Sequence, residues 1–295
     1  MKLLKMTVLG LLLLCMTAVG ANADTYGNWE YTLTAEGATI TGYTGSDTDI
    51  TTPQVLGGKT VTIIGKAAFK HNDKVKRIVI SDGVEKIEGE AFESSIIEEI
   101  ILPDTLNSIG ISAFWATRRL KSIVLPNSVG EIGEQALKWS GISSITLPSG
   151  LKSMPDHMLA CCESLEFIEI PASVKQIGQL TFYGCTKLKE VVLPNGVETI
   201  GFEAFEKCEN LEKIVIPESV TAINATAFND CEKIVAYVYE DSYAHQWCIK
   251  NNIAFVLQNV INSMPKTGDH SQLALWCMVF AFAAFACRTM KRRTV

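Results

Sequence analysis

Three consecutive segments of this 295-residue chain, PASVKQIGQLTFYGCTKLKEVVL (171–193), PNGVETIGFEAFEKCENLEKIVI (194–216) and PESVTAINATAFNDCEKIVAYVY (217–239), align without a gap. Pro148, Pro126 and Pro103 open earlier copies, Ser81 an older one, and Leu56 leads into the first. One position reads Phe69, Phe92, Phe114, Leu137, Leu159, Phe182, Phe205, Phe228, in steps of 22 or 23 residues. Copies two and four each lack one residue after it. Self-similarity at so short a period excludes an ordinary globular domain, because one copy cannot bury its apolar side and must share a core with its neighbours.

The local chemistry of a copy sets its shape. A stretch such as Leu188-Lys-Glu-Val191-Val-Leu193 alternates apolar residues at its end, the period of a strand with one buried face. Proline follows, ends the ladder for want of an N–H, and turns the chain. A helical repeat fails because no helical spacing is sustained. These features predict a β-rich repeat solenoid, a rod of about eight 22–23-residue coils. At ~4.8 Å per strand it would be roughly 40 Å long, with the phenylalanines in file.

With these residues in view, the repeat resembles the BspA-like leucine-rich repeat family, whose pattern runs Leu-x-x-Leu-x-Leu-Pro-x-x-Val-x-x-Ile-Gly-x-x-Ala-Phe-x-x-Cys. The match is fullest over 171–234 and weakest at LKSMPDHMLACCESL, where Met154-Pro155 replaces Ile-Gly and Leu159 replaces Phe. WEYTLTAEGATITGYTGSDTDITTP (29–53) is similar to the family's lead-in, a hairpin and an irregular coil, and SYAHQWCIKNNIAFVLQ (242–258) to its C-terminal end. The resemblance implies a leucine-rich-repeat rod over 56–239 with caps at 24–55 and 240–258. It also implies a binding role in attachment to host proteins or other cells.

Both chain ends look like processing signals. Lys2 and Lys5, an apolar run and Ala21-Asn22-Ala23 form a secretory signal over 1–23, with cleavage after Ala23. At the other end, a linker (259–263) precedes Met264-Pro265-Lys266-Thr267-Gly268, fifteen apolar or small residues from Leu273 to Cys287, and Arg288, Lys291, Arg292 and Arg293. This order, over 264–295, resembles the sortase cell-wall sorting signal, Leu-Pro-x-Thr-Gly with an apolar stop and a basic tail, with Met264 in place of Leu. It implies a Gram-positive-type wall, a sortase-type transpeptidase acting on this protein as substrate, and covalent attachment to peptidoglycan through Thr267. The apolar run is expected to serve as a transmembrane segment that halts export.

The whole chain carries −6; without residues 1–23 and the tail after Thr267, 20 basic face 31 acidic side chains. That excess argues against nucleic acid as a partner. Cys162, Cys185, Cys208 and Cys231 share one repeat position. They read as a metal ladder, as disulfides between coils, or as small buried residues; the absence of paired ligands and histidines favours the last. Cys161 and Cys248 stand off that register. His71, His157, His245 and His270 accompany no nucleophile motif. Asp47 and Asp49 offer two carboxylates to calcium, too few for a site, and a solvated turn is the simpler account. No cofactor, metal site or catalytic group is expected, and the chain reads as non-enzymatic.

What remains is surface. One residue between the two inward residues of each strand faces out: Val79, Ile101, Val124, Thr146, Glu169, Val192, Val215 and Val238. Charged and polar pairs border this row, and Phe167 interrupts them beside Glu169. The row reads equally as a protein-binding face and as the β-branched preference of strands. The expected role is adhesion to a protein or host-matrix ligand. The rival is a structural envelope component contacting peptidoglycan or another wall protein, suggested by the five-residue linker.

Overall fold

The computed structural model describes residues 23–258. Residues 1–22 and 259–295, over which the body of the secretory signal, the linker and the sorting signal are expected, lie outside the described residues.

The chain winds as a leucine-rich-repeat solenoid. Each coil contributes one strand to a main face: Asp49–Thr51, Arg77–Val79, Glu99–Ile101, Ser122–Val124, Ser144–Thr146, Glu190–Val192, Lys213–Val215 and Val235–Val238, with a single bridge at Phe167 standing for the coil between. Every neighbouring pair that bonds within this set is parallel and in register, so Val191 lies beside Ile214 and Val192 beside Val215. The central residue of each strand points inward and is buried, from Ile78 and Ile100 through Ile123 and Ile145 to Val191 and Ile214. Alternation along a strand then sends the next residue to solvent.

After most main strands a proline opens a tight turn, with Ser81 in its place after Arg77–Val79. The Val129 N–H donates to the Pro126 carbonyl at 3.0 Å, and Val174 to Pro171 likewise. The Ile of the motif then enters a second, shorter parallel ladder: Lys86–Ile87, Ser108–Ile109 and Glu131–Ile132, then Ser153–Met154, Gln176–Ile177, Thr199–Ile200 and Ala222–Ile223. The glycine that follows has a steric cause. A Cβ on Gly133 would stand 2.4 Å from the Ile111 nitrogen, and one on Gly110 2.4 Å from the Gly89 nitrogen.

The third side is built from residues of positive φ. They lie two before and two after the aromatic position: Ala67 and His71, Glu90 and Ser94, Ser112 and Ala116, Gln135 and Trp139. This left-handed backbone turns alternate N–H groups along the rod. In the coil of Phe92, for example, Glu90, Phe92 and Ser94 donate to Ile111, Ala113 and Trp115 of the next coil at 2.8–2.9 Å.

The phenylalanines stand in file. Phe69, Phe92 and Phe114 stack at 5.0 and 5.3 Å, and Phe182, Phe205 and Phe228 at 5.0 and 5.3 Å, all within 10° of parallel. Leu137 and Leu159 fill the two levels between and are buried. A tryptophan closes each end: Trp29 meets Phe69 edge-on at 6.4 Å and Trp247 meets Phe228 at 5.7 Å. Trp29 belongs to an antiparallel meander of Asp24–Tyr26, Trp29–Leu33 and Ala38–Tyr43. Trp247 sits on the helix Tyr243–Lys250, whose N-cap Ser242 side chain accepts from the His245 N–H, and Ala254–Leu257 then adds a last parallel strand.

Two expectations require correction. No helix among the described residues is long and apolar enough to cross a membrane. The one helix has eight residues, about 12 Å against the ~30 Å a bilayer core demands. The transmembrane segment read from the sequence is therefore not retained, and the run from Leu273 to Cys287 lies outside the described residues. Val238 does not face out either, for it is 0% exposed. Val215 pairs with Tyr237, so the last coil is one residue shorter between Ile234 and its strand, and Tyr237 takes the outward place.

Candidate functional site

The cysteine column explains itself in the fold. The Sγ atoms of Cys162, Cys185, Cys208 and Cys231 donate to the carbonyls of Leu137, Leu159, Phe182 and Phe205, at 3.0–3.3 Å. Each therefore bonds the aromatic-position residue one coil earlier. In the second to fourth coils the same position holds Ser95, Thr117 and Ser140, all buried; Thr117 donates to Phe114 of its own coil and Ser95 has no partner, so what the column requires is a small side chain. All six cysteines among the described residues are free. Burial pushes the Cys162 thiol up to about 12, and Cys185 well above its ordinary value. Cys161, half-buried, occupies a left-handed position at φ 59, and Cys248 is buried in the helix. Among the described residues no three His, Cys, Asp or Glu side chains stand together as a metal site. Asp47 accepts a bond from the Tyr43 hydroxyl at 2.7 Å, and Asp49 binds Arg77 at 3.0 Å, so both carboxylates are engaged in the cap.

The main strand face is the surface with distinctive chemistry. Register sets Val79 beside Ile101, Val124 beside Thr146 and Val192 beside Val215, with Glu169 next to Val192 through the bridge at Phe167, and these lengths follow one another along the outward row. Exposure along it is uneven. Val124 is 65% exposed, Val192 51% and Ile101 42%, whereas Val79 and Val215 are half-buried. Phe167 belongs to the neighbouring file, where it bridges to Glu190, and is 64% exposed. A large ring is thus presented mainly to water.

That neighbouring file is electrostatically closed at both ends. Arg77 lies between Asp49 at 3.0 Å and Glu99 at 3.3 Å, and these two carboxylates raise its pKa, Asp49 first. Lys213 reaches Glu190 at 2.6 Å and stands 5.2 Å from the Tyr237 ring. Between them the file reads Ser122, Ser144, Phe167, without charge. The middle of this file is thus apolar or neutral. Tyr237 escapes a reading by fixed period, and its only signal is the shortened spacing after Ile234. Trp115 and Trp139 belong to the turn side, where Arg118 packs 5.3 Å over the Trp139 ring. Ala23 is the first described residue, exposed and immediately before the Asp24–Tyr26 strand.

A stacked parallel solenoid of this kind, with a broad strand face, defines the class of leucine-rich-repeat scaffolds. The BspA type leucine rich repeat region matches over residues 43–160 and 107–235, in six copies, and the chain belongs to that family. Two solved structures share the fold. A leucine-rich repeat protein from Bacteroides ovatus ATCC 8483 is 24% identical, with a TM-score of 0.54 over 73% of this chain and 70% of its own. The leucine rich repeat protein of T. pallidum is also 24% identical, with a TM-score of 0.54 over 80% and 98%. No curated protein matches.

Proposed function

We propose that the protein is a non-enzymatic cell-surface binding protein that engages a protein partner through the main strand face. The reading is carried by one observation: four large apolar side chains of that face, Ile101, Val124, Phe167 and Val192, stand exposed to water, and the charged residues flanking the neutral centre of the file beside them are paired within the chain. Exposed apolar side chains in register are what a protein interface desolvates, and aromatic anchors dominate such interfaces. In this reading the signal is removed after Ala23. A sortase-type transpeptidase cuts within Met264-Pro265-Lys266-Thr267-Gly268 and joins Thr267 to peptidoglycan, so the rod is displayed on the wall for adhesion. The five residues from Asn259 to Ser263 favour a second reading, a structural component that stays within the wall and contacts peptidoglycan or another wall protein.

Pull-downs with residues 24–263 against host-matrix proteins and against purified wall separate the two readings. Binding to matrix proteins that is lost in Val124→Lys with Phe167→Ser, at unchanged circular dichroism, supports the face. Capture that survives the double substitution would falsify it, and capture from wall alone selects the second reading. On cells, Thr267→Ala should eliminate the form released by muramidase; release in unchanged amount rejects covalent attachment.

A further inference from the structure

The residue immediately before the main strand is exposed in seven consecutive coils, from Lys76 to Glu212, and its charge follows a pattern. Ser143 lies at the centre of the row. One coil to either side stand Lys121 and Glu166; two coils away, Glu98 and Lys189; three coils away, Lys76 and Glu212. Each pair has opposite signs. The row is antisymmetric about Ser143 over seven consecutive coils. Of the six charged members only Glu98 makes an ion pair among the described residues, with Arg119 at 3.8 Å.

We propose that the occupant of the strand face is a second copy of this chain. The copies dock face to face with rod axes antiparallel, about a two-fold axis running along the Ser144–Thr146 strand. The inference rests on the strand face being the binding surface. A two-fold interface brings the same patch of both copies together, so a surface must complement itself. This axis keeps each file opposite itself and reverses the order of coils. Lys121 then faces Glu166 of the second copy, Glu98 faces Lys189, and Lys76 faces Glu212, each twice.

The other files obey the same operation. In the outward file Ile101 meets Val192 and Val79 meets Val215, apolar on apolar. Val124 meets the aliphatic stem of Glu169. Phe167 comes over Ser122, a large ring opposite a small side chain, and the axis passes small residues, Ser144 and Thr146. Arg77 and Lys213 would face each other with like charge, as would Glu99 and Glu190. All four are already paired within their own chain, Arg77 with Glu99 and Lys213 with Glu190. An antiparallel pair puts the two C-terminal ends at opposite ends of the dimer. If each copy is held at its C-terminus, the contact joins two surfaces, which makes the adhesion homophilic.

The face spans six inter-strand steps, ~29 Å, by about four residues, ~13 Å. That buries roughly 400 Å² per partner, at the low end for protein interfaces. Weak association is expected, with a dissociation constant on the order of tens of micromolar, raised by multivalency between surfaces.

The test is sedimentation velocity on residues 24–263, which contain every coil and both caps, over a concentration series at low and high salt. A monomer–dimer equilibrium that weakens with salt is expected. Lys121→Glu alone and Glu166→Lys alone should each weaken it by about tenfold, since each replaces two attractive contacts with two repulsive ones. An equimolar mixture of the two variants should recover a heterodimer of parental strength, because every contact is again between opposite charges. A strictly monomeric protein, single variants that dimerise like the parent, or a mixture without recovery overturns the proposal. If self-association is absent but Val124→Lys with Phe167→Ser still abolishes capture of another protein, the binding face stands and the homophilic inference alone fails.

Discussion

A thiol that donates to a carbonyl one coil away occupies a position where serine also serves, and the difference lies in how each responds to pH. Burial raises Cys162 to about 12, with its bond to Ser140 opposing, and raises Cys248 to about 12. In the unfolded chain these thiols ionise near their ordinary value of 9.0. The folded state therefore holds protons that the unfolded state releases, and stability is full below about pH 9 and declines towards pH 12. Each such thiol contributes a slope of about 1.4 kcal/mol per pH unit in that window. Tyrosines and lysines titrate there too, so the comparison that isolates the thiol is between the parent and Cys162→Ser. The variant should lose stability less steeply by one proton, measured as the urea midpoint against pH from about 9 to 11. Identical slopes would mean that the buried thiol ionises as readily folded as unfolded.

At the scale of the coil, close packing rather than turn propensity fixes the glycines of the Ile-Gly motif. Gly133→Ala would drive a Cβ against Ile111 and Gly110 backbone at 2.4 and 2.6 Å, whereas Gly130, three residues earlier, has nothing within 4 Å. Gly133→Ala should cost about 2 kcal/mol or more, and Gly130→Ala less than about 0.5, by chemical denaturation. Equal costs would show that the coils can slide apart to admit a methyl group. The motif was visible in sequence, because a strict period projects every equivalent residue onto one line. So were the phenylalanine file, the stacking of the coils and the outward row from Val79 to Val215. The left-handed pairs flanking the aromatic position were not legible, since Ala67, Glu90, Gln135 and Lys207 carry no residue-type signal for positive φ. The helical cap with Trp247 gave only a family resemblance, as an eight-residue helix shows too few turns for a period. Tyr237 was missed because a deletion inside a copy shifts register while the overall spacing of prolines and aromatics is unchanged. The face was visible as a row, but its uneven exposure and its paired charges depend on neighbours that only stacking brings together.

Across the whole rod the coils are not equally joined. Between the coils of Leu137 and Leu159 three connections fail at one level. The main face has no strand pairing from Ser144–Thr146 to the next coil, a gap it also shows between Glu99–Ile101 and Ser122–Val124, but only here does the second ladder also stop, at Glu131–Ile132, to resume at Ser153–Met154, while leucines interrupt the aromatic stack. The second failure has a plain cause in Pro155. Gly110, Gly133, Gly178 and Gly201 each donate an N–H to the coil before, at 2.8–3.0 Å, and proline at the same position has none to give. The turn side holds this junction with bonds from Gln135, Leu137 and Trp139 to Asp156, Met158 and Ala160. A solenoid's stability is a sum of coil terms and nearest-neighbour terms, so a weak neighbour term divides its cooperativity. The rod should therefore open as two units that meet at this junction. Hydrogen exchange followed by mass spectrometry in rising urea should give one protection free energy for the ladder from Lys59–Ile64 to Glu131–Ile132 and a different one for that from Gln176–Ile177 to Ala222–Ile223. Amides around Phe167–Glu169 should exchange first among the main strands. Pro155→Gly restores the missing donor and should bring the two transitions together. A single transition shared by both ladders in the parent, or two that stay apart in Pro155→Gly, would show that the junction is as strong as its neighbours or is weakened by the leucines instead.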